Sequence, residues 1–266
     1  MARSLYRRAA RLDERAGAAR LFLCLVLALG AAPALGGECC AGTGKDGGVA
    51  ITPFSAAGAG GAIPAPWAGV KINDRKTPTR YSLVDDGGTV VLYAQADSAA
   101  SALGHPVNAA LTDTPWLHWR WKVAAPIASA DPSAAQKEDS PARVVLEFDG
   151  DRSKLPLSDR AVNQLSENLS GKPLPYATLM YIFSQKLPVG TVVANPHTRR
   201  IQMIVVDSGA AVGTWQTFVR NVVEDYKRAF KEEPQKLLSL GVLTDTDNTG
   251  ERAQAWYGDF SLTSQR

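Results

Sequence analysis

The chain has 266 residues, of which 45% are apolar, enough to build one large or two small domains around a sizeable core. Its charges, 29 Lys+Arg against 26 Asp+Glu, are unevenly placed: the first 37 residues hold six Arg against Asp13 and Glu14. The remaining 23 basic and 24 acidic residues leave a near-neutral body, which gives no electrostatic footprint for nucleic acid or an anionic membrane.

Residues 1–37 read as a secretory signal peptide. A basic stretch (Arg3, Arg7, Arg8, Arg11, Arg15, Arg20) precedes the apolar run from Leu21 to Leu29, and small residues follow. The apolar run is shorter than the ~20 residues of a membrane-spanning helix, so no integral membrane segment is expected after cleavage. A retained anchor and the twin-arginine route are the competing readings. The expected location is periplasmic or secreted. Cys24 falls in the signal, and Cys39 with Cys40 are adjacent, a spacing that fits neither zinc ligation nor an easy mutual disulfide. Residues 38–66 are rich in Gly, Ala and Pro and read as a linker with one short strand at Val49 to Phe54.

From Trp67 to the C-terminus a period of two dominates. TRYSLV and TVVLYAQ flank Asp85-Asp86-Gly87-Gly88, a hairpin signal. In PWLHWRWKV, Leu117, Trp119, Trp121 and Val123 alternate with Trp116, His118, Arg120 and Lys122. RVVLEFD sets Val144, Leu146 and Phe148 against Arg143, Val145 and Glu147. ATLMYIFS, RIQMIVVDS and KLLSLGVLTD are apolar on both faces and read as central strands. AWYGDFSL, read as one strand, puts Trp256, Phe260 and Leu262 on one side and Tyr257, Asp259 and Ser261 on the other. Two helices interrupt these strands. Ser158 caps the first, which carries Ala161, Val162, Leu165 and Leu169 on one face and stops at Gly171. The second runs over about Trp215 to Phe230 and stops before Pro234. The expected fold is mainly β: a two-sheet β-sandwich of jelly-roll or carbohydrate-binding-module-like type, residues 67–266, with two helices inserted.

Three constellations carry candidate chemistry. In TDTDNTG, Asp245, Asp247 and Asn248 gather side-chain oxygens before Gly250. That grouping suits a hard cation such as Ca2+, although Asx-turn hydrogen bonding accounts for the same residues. If their strands share a sheet, Arg120, Arg143, Glu147, Tyr257 and Asp259 form a charged face edged by an aromatic ring. A sugar or polyol site uses those groups; cross-strand ion pairing on a solvated face is the bland alternative. Trp67 and Trp116 are free of the apolar faces and available to stack on a ligand, whereas Trp119, Trp121 and Trp256 read as core. Arg220 and Asn221 tie helix to sheet, with Asp225 as a partner for Arg220. Glu147 and Asp259 also admit a carbohydrate-active hydrolase or lyase, since two suitably spaced carboxyls cleave glycans. No G-x-S-x-G or H-E-x-x-H occurs. His105 falls in a loop, His118 on a polar strand face and His197 in a turn beside Pro196.

WRWKV (Trp119 to Val123), ARVVLEF (Ala142 to Phe148), RNVVEDYKRAF (Arg220 to Phe230) and the TDTDNTG loop followed by AWYGDFSL resemble the bacterial family known as domain of unknown function 3047. The resemblance spans about Trp67 to the C-terminus. The chain departs from the family pattern at Glu138-Asp139-Ser140-Pro141 ahead of Arg143, where the family tends to have paired Asp. It departs again at Lys231, where the family tends to have Gly. The resemblance implies an exported β-rich domain similar to carbohydrate-binding sandwiches, and supplies no catalytic residues. The leading expectation is thus a non-enzymatic module for a glycan or other polyhydroxylated ligand. The glycan-cleaving enzyme and a cell-envelope protein-interaction domain are the alternatives.

Overall fold

A computed structural model describes residues 49–72, 75–170 and 173–266. Residues 1–37, expected to be a signal peptide, the three cysteines and residues 38–48 of the expected linker lie outside the described residues. No helix among those described is long and apolar enough to cross a membrane.

Among the described residues thirteen strands form two sheets. In chain order they are β1 (Ala68–Lys71), β2 (Arg80–Asp85), β3 (Val90–Asp97), β4 (Ala100–Ala109), β5 (Trp116–Val123), β6 (Ser140–Phe148), β7 (Ala177–Phe183), β8 (Val192–Asn195), β9 (Thr198–Asp207), β10 (Gln216–Asn221), β11 (Leu237–Asp245), β12 (Arg252–Tyr257) and β13 (Ser261–Thr263). Helix α1 (Leu157–Ser170) joins β6 to β7, and α2 (Val222–Phe230) joins β10 to β11. The seven-stranded sheet has the order β1-β4-β11-β6-β7-β9-β8. The six-stranded sheet runs β10-β5-β12-β3-β2, with β13 also on β5. Neighbours are antiparallel except β7 and β9.

The alternation in β5 sets one side of the core: Leu117, Trp119, Trp121 and Val123 are buried, and the residues between them are half-buried. They meet Leu146, Leu179, Tyr181 and Val242 of the opposing sheet. Trp119 stacks on Tyr181 and on Phe218, each at 5.0 Å. The β2–β3 hairpin turns where expected, with Gly87 and Gly88 at positive φ (69° and 86°) that a side chain would strain. The far face of the seven-stranded sheet is buried as well. There Val145, Met180, Ile182, Met203, Val205 and Leu243 form a second apolar cluster with Ile72.

Five sequence readings need correction. Residues 49–66, marked as linker by composition, pack on the sandwich. Phe54 is fully buried 4.7 Å from the Trp67 ring, and Val49 bridges to Leu262. The stretch to Phe54 ends in a 3-10 turn, Phe54–Ala56, and not a strand. His105 lies in β4, hydrogen-bonded between β1 and β11; its Ala, Ser and Gly neighbours carry little strand signal. The helix over Trp215–Phe230 begins only at Val222. Gln216–Asn221 pairs along the edge of β5, Phe218 stacks in the core, and the Asn221 side chain caps α2 by accepting from Glu224 N at 3.1 Å. Finally, AWYGDFSL is two strands. The register on β5 slips by one residue between Tyr257↔Trp121 and Ser261↔His118, so the alternation does not carry across. Tyr257 and Leu262 both point inward, while Trp256 turns to the outer face beside Tyr93 at 5.0 Å.

Candidate functional site

The charged face read from β5, β6 and β12 does not assemble. Arg120 sits on the outer face of the six-stranded sheet, 4.4 Å over the Trp215 ring. Lys122 beside it lies 4.6 Å over Trp256 and bonds both oxygens of Asp86 at 2.8 Å. The rings of this face are thus already covered by the protein's own cations. Arg143 and Glu147 belong to the other sheet and are 1% and 2% exposed. Tyr257 lies between the sheets, where its hydroxyl donates to Leu243 O at 3.0 Å and bonds the Thr244 hydroxyl at 2.8 Å. Burial raises its pKa. Asp259 is held in the β12–β13 turn by the amide (3.1 Å) and hydroxyl of Ser55. Trp67 is buried, its indole donating to Thr52 O at 2.7 Å. Trp116 is half-buried at the start of β5, paired with Asn221 on one side and Thr263 on the other, with the Arg266 guanidinium 5.9 Å from its ring centroid. Glu147 thus lies in the seven-stranded sheet and Asp259 in the turn between two strands of the other sheet, each bonded to a serine, so the expected pair does not share one face. The alternation within β5 and β6 holds; which strands share a sheet is a long-range pairing that local periodicity does not encode.

Arg143 instead anchors a buried acidic cluster. Its Nε and Nη2 donate to Asp245 Oδ1 and Oδ2 at 2.9 and 3.1 Å, Nη1 donates to Glu138 Oε1 at 3.0 Å, and Nη2 also reaches the Glu138 carbonyl. Burial pushes the Asp245 carboxyl up to about 7 against the pull of Arg143. Glu138 is raised by the same burial, again opposed by Arg143. Burial works against the Arg143 charge, yet Asp245 and Glu138 raise its pKa overall. Carboxylate oxygens of Asp139, Asp245 and Asp247 lie within 4.8 Å of one another. Sequence reading found two of these three and missed Asp139, which is remote in the chain.

Fit to a cation is poor, because protein groups already meet these oxygens. Lys76 Nζ is 2.6 Å from Asp247 and Arg143 holds Asp245. Asp139 accepts from Thr249 N and Oγ1 at 2.7 Å and from Asn248 N at 3.3 Å. The Asn248 contribution found here is its backbone amide, and the loop is a turn tied down by Asp139.

Among the described residues a cavity of about 780 Å³ lies elsewhere, between α1 and the β8–β9 hairpin. One wall is the start of α1 with Ser158, Asp159 and Asn163; the other is Asn195, His197, Thr198 and Arg199. Thr178 and Ile201, paired across β7 and β9, line it from the sheet. Asn195-Pro196-His197 makes the hairpin bend, with Asn195 Oδ1 accepting from His197 N at 2.9 Å, as the turn chemistry of the sequence requires.

Tyr176 is locked into this wall. Its hydroxyl donates to Glu232 Oε2 at 3.0 Å, and the Arg200 guanidinium lies 4.0 Å from the ring centroid while bonding Glu232 Oε1 at 3.1 Å. Burial, then Glu232, raises the Tyr176 pKa. Gly150 passes beneath this ring so closely that a Cβ there would lie 2.1 Å from it. Glu147 is one strand away from the cavity, opposite Thr178, and accepts from the Ser239 hydroxyl at 2.6 Å. The sequence marked Ser158 as a helix cap, although the helix already begins at Leu157, and Thr178 and Ile201 as strand residues, but nothing in it brought these residues together, since the cavity forms only where α1 meets the hairpin.

The family model described as protein of unknown function (DUF3047) matches residues 65–261. The chain belongs to the DUF3047 family. A comparison with curated proteins found no match. Among solved structures, this DUF3047 domain is similar to the glycoside hydrolase domain of Endo-D from Streptococcus pneumoniae R6, at 9% identity and a TM-score of 0.33. The match covers 75% of this chain and 22% of that one, so the chain spans about a fifth of its length. It is similar to the cellulose-induced protein Cip1 at 13% identity and a TM-score of 0.34, covering 75% of this chain and 92% of that chain. It is also similar to the Trichoderma harzianum endoglucanase 3 of family GH12, at 9% identity and a TM-score of 0.35, covering 74% and 84% of the two chains.

Proposed function

We propose that this DUF3047 domain is a binding module of an exported protein, and that it takes a glycan or related polyhydroxylated ligand in the cavity between α1 and the β8–β9 hairpin. One observation carries the reading: the volume and mixed lining of that cavity. About 780 Å³ falls within the range of roughly 300–1,000 Å³ typical of small-ligand sites. Ser158, Asn163, Thr178, Asn195 and Thr198 offer neutral donors and acceptors together, which a ring of hydroxyls needs. Leu155, Leu174, Ile201 and three prolines on the same lining suit the apolar C–H faces of a sugar. Binding is favoured over cleavage because the carboxyl pair Glu147 and Asp259 is split between the sheets. The cavity is favoured over the outer face of the six-stranded sheet because there Arg120 and Lys122 already cover Trp215 and Trp256.

A thermal-shift screen of the purified protein against soluble glycans tests this. A ligand at 100 times its Kd stabilises by about 2.7 kcal/mol. A hit should vanish in Ala194→Trp, which plants an indole at an exposed lining position, and persist in Trp256→Ala. The reverse pattern would move the site to the outer face, and a flat screen would overturn the glycan reading.

A further inference from the structure

The charged side chains of the cavity point to a narrower ligand class than its hydroxyls do. Four titratable or charged residues other than Tyr176 line it: Asp159, His197, Arg199 and Arg200. Arg200 is spent, because its guanidinium is bonded to Glu232 Oε1 at 3.1 Å and to Tyr176 O at 2.7 Å while stacked on the Tyr176 ring. His197 already interacts within the protein. Arg199 differs. It lies two residues before Ile201 in β9, on the same strand face as that lining residue, and it is exposed. Among the described residues its guanidinium has no ion pair or side-chain hydrogen bond. Asp159, from α1, is the acidic residue of the lining, and its recorded partner is the adjacent Ser158 hydroxyl at 3.4 Å.

We infer, resting on the glycan reading of the same cavity, that the site selects acidic glycans, with the Arg199 guanidinium taking the carboxylate of a uronic-acid residue. A guanidinium presents a rigid planar fork whose two N–H groups match the two oxygens of a carboxylate. The Arg199 guanidinium, which is in no ion pair among the described residues, matches the single charge of one uronate. Asp159 on the facing wall disfavours a denser anion such as a phosphate ester, because it adds a like charge to the same space. The neutral groups around them then read the sugar hydroxyls, so the charge adds selectivity to a site built for polyols.

The test is isothermal titration of the protein with uronic-acid oligosaccharides and with the same oligosaccharides after reduction of the carboxyl to the neutral alcohol. The matched pair changes charge and leaves the ring hydroxyls in place. The expected result is roughly tenfold tighter binding of the acidic form, which corresponds to about 1.4 kcal/mol, weakening with added salt. In Arg199→Gln, whose melting temperature should match wild type because the side chain is exposed, the two forms should bind alike. In Asp159→Asn the acidic form should bind severalfold more tightly than to wild type. Equal binding of both forms by wild type would overturn the acidic selectivity, and a preference that survives in Arg199→Gln would overturn the assignment of the carboxylate to Arg199; either leaves the glycan cavity standing. Failure of both forms to bind would overturn the glycan reading itself.

Discussion

Arg143→Met is the most informative single change to the fold. The side chain is 1% exposed and is the shared cation of Asp245 and Glu138. Methionine keeps an unbranched apolar stem among Met180 and Met203, whose sulfurs lie 4.0 and 3.4 Å from Nη1, so the loss is one of charge and hydrogen bonds more than of volume. Removing one partner of a buried ion pair costs about 3–5 kcal/mol. For a domain of this size that lowers the melting temperature by roughly 6–20 °C, at about 2–4 °C per kcal/mol.

The deficit must also depend on pH. Asp245 is raised to about 7 in the folded protein, above the unfolded value near ~3.9. The folded state therefore holds a proton that the unfolded state has released. Stability from this group is fully present below pH ~4 and is lost as pH rises through about 7. Without Arg143 the Ser140 amide, 3.1 Å from Oδ1, is left to favour the carboxylate against the burial that raises it, so at pH 5 Asp245 is neutral and the variant loses little beyond hydrogen bonds. At pH 8 the unpaired acids must ionise or stay protonated at a cost. Urea denaturation of both proteins at pH 5 and pH 8 should show the larger deficit at pH 8. A deficit under about 1 kcal/mol at pH 8, well below the cost of a broken buried pair, or one of equal size at both pH values, would refute the reasoning.

Three further outcomes are expected. Asn221→Ala removes the α2 cap on Glu224 N and should cost about 1 kcal/mol in urea denaturation; no loss would mean the cap is redundant. Lys231 closes α2 in the left-handed region at φ 63°, so Lys231→Gly should stabilise by about 0.5–1 kcal/mol, and a lower melting temperature would contradict that account. Calcium and chelator should give superimposable melts, since Lys76 and Arg143 already meet Asp247 and Asp245; a clear calcium-dependent rise would restore the cation reading.

Much of the fold is legible where a signal is local. The period-two pattern of β5 and the Asp-Asp-Gly-Gly turn of the β2–β3 hairpin predict what is observed, and so do the doubly apolar runs of β7, β9 and β11. Lys231 is legible in a different way: its departure from the family's Gly falls at the residue that needs positive φ. What fails does so because a long-range contact outweighs a local pattern. Small residues hide β4, whose strand character comes from lying between β1 and β11. A one-residue slip near Gly258 exchanges the roles of Trp256 and Tyr257. Gly258 itself lies against the Arg120 side chain, where a Cβ would come within 2.6 Å. The candidate site was the least legible part, since the cavity is made by a helix and a hairpin that share no sequence pattern. Arg143 and Asp245, separately singled out as ligand groups, turn out to be each other's partners.

In the proposed binding mode, ligand enters between α1 and the β8–β9 hairpin. Amide hydrogen exchange, measured with and without a saturating glycan found in the screen, tests it most directly. Added protection is expected, confined to the first turns of α1, residues 174–178 and the hairpin at 194–201. Protection centred on β5, β12 and the 208–215 loop, with the hairpin unchanged, would contradict it.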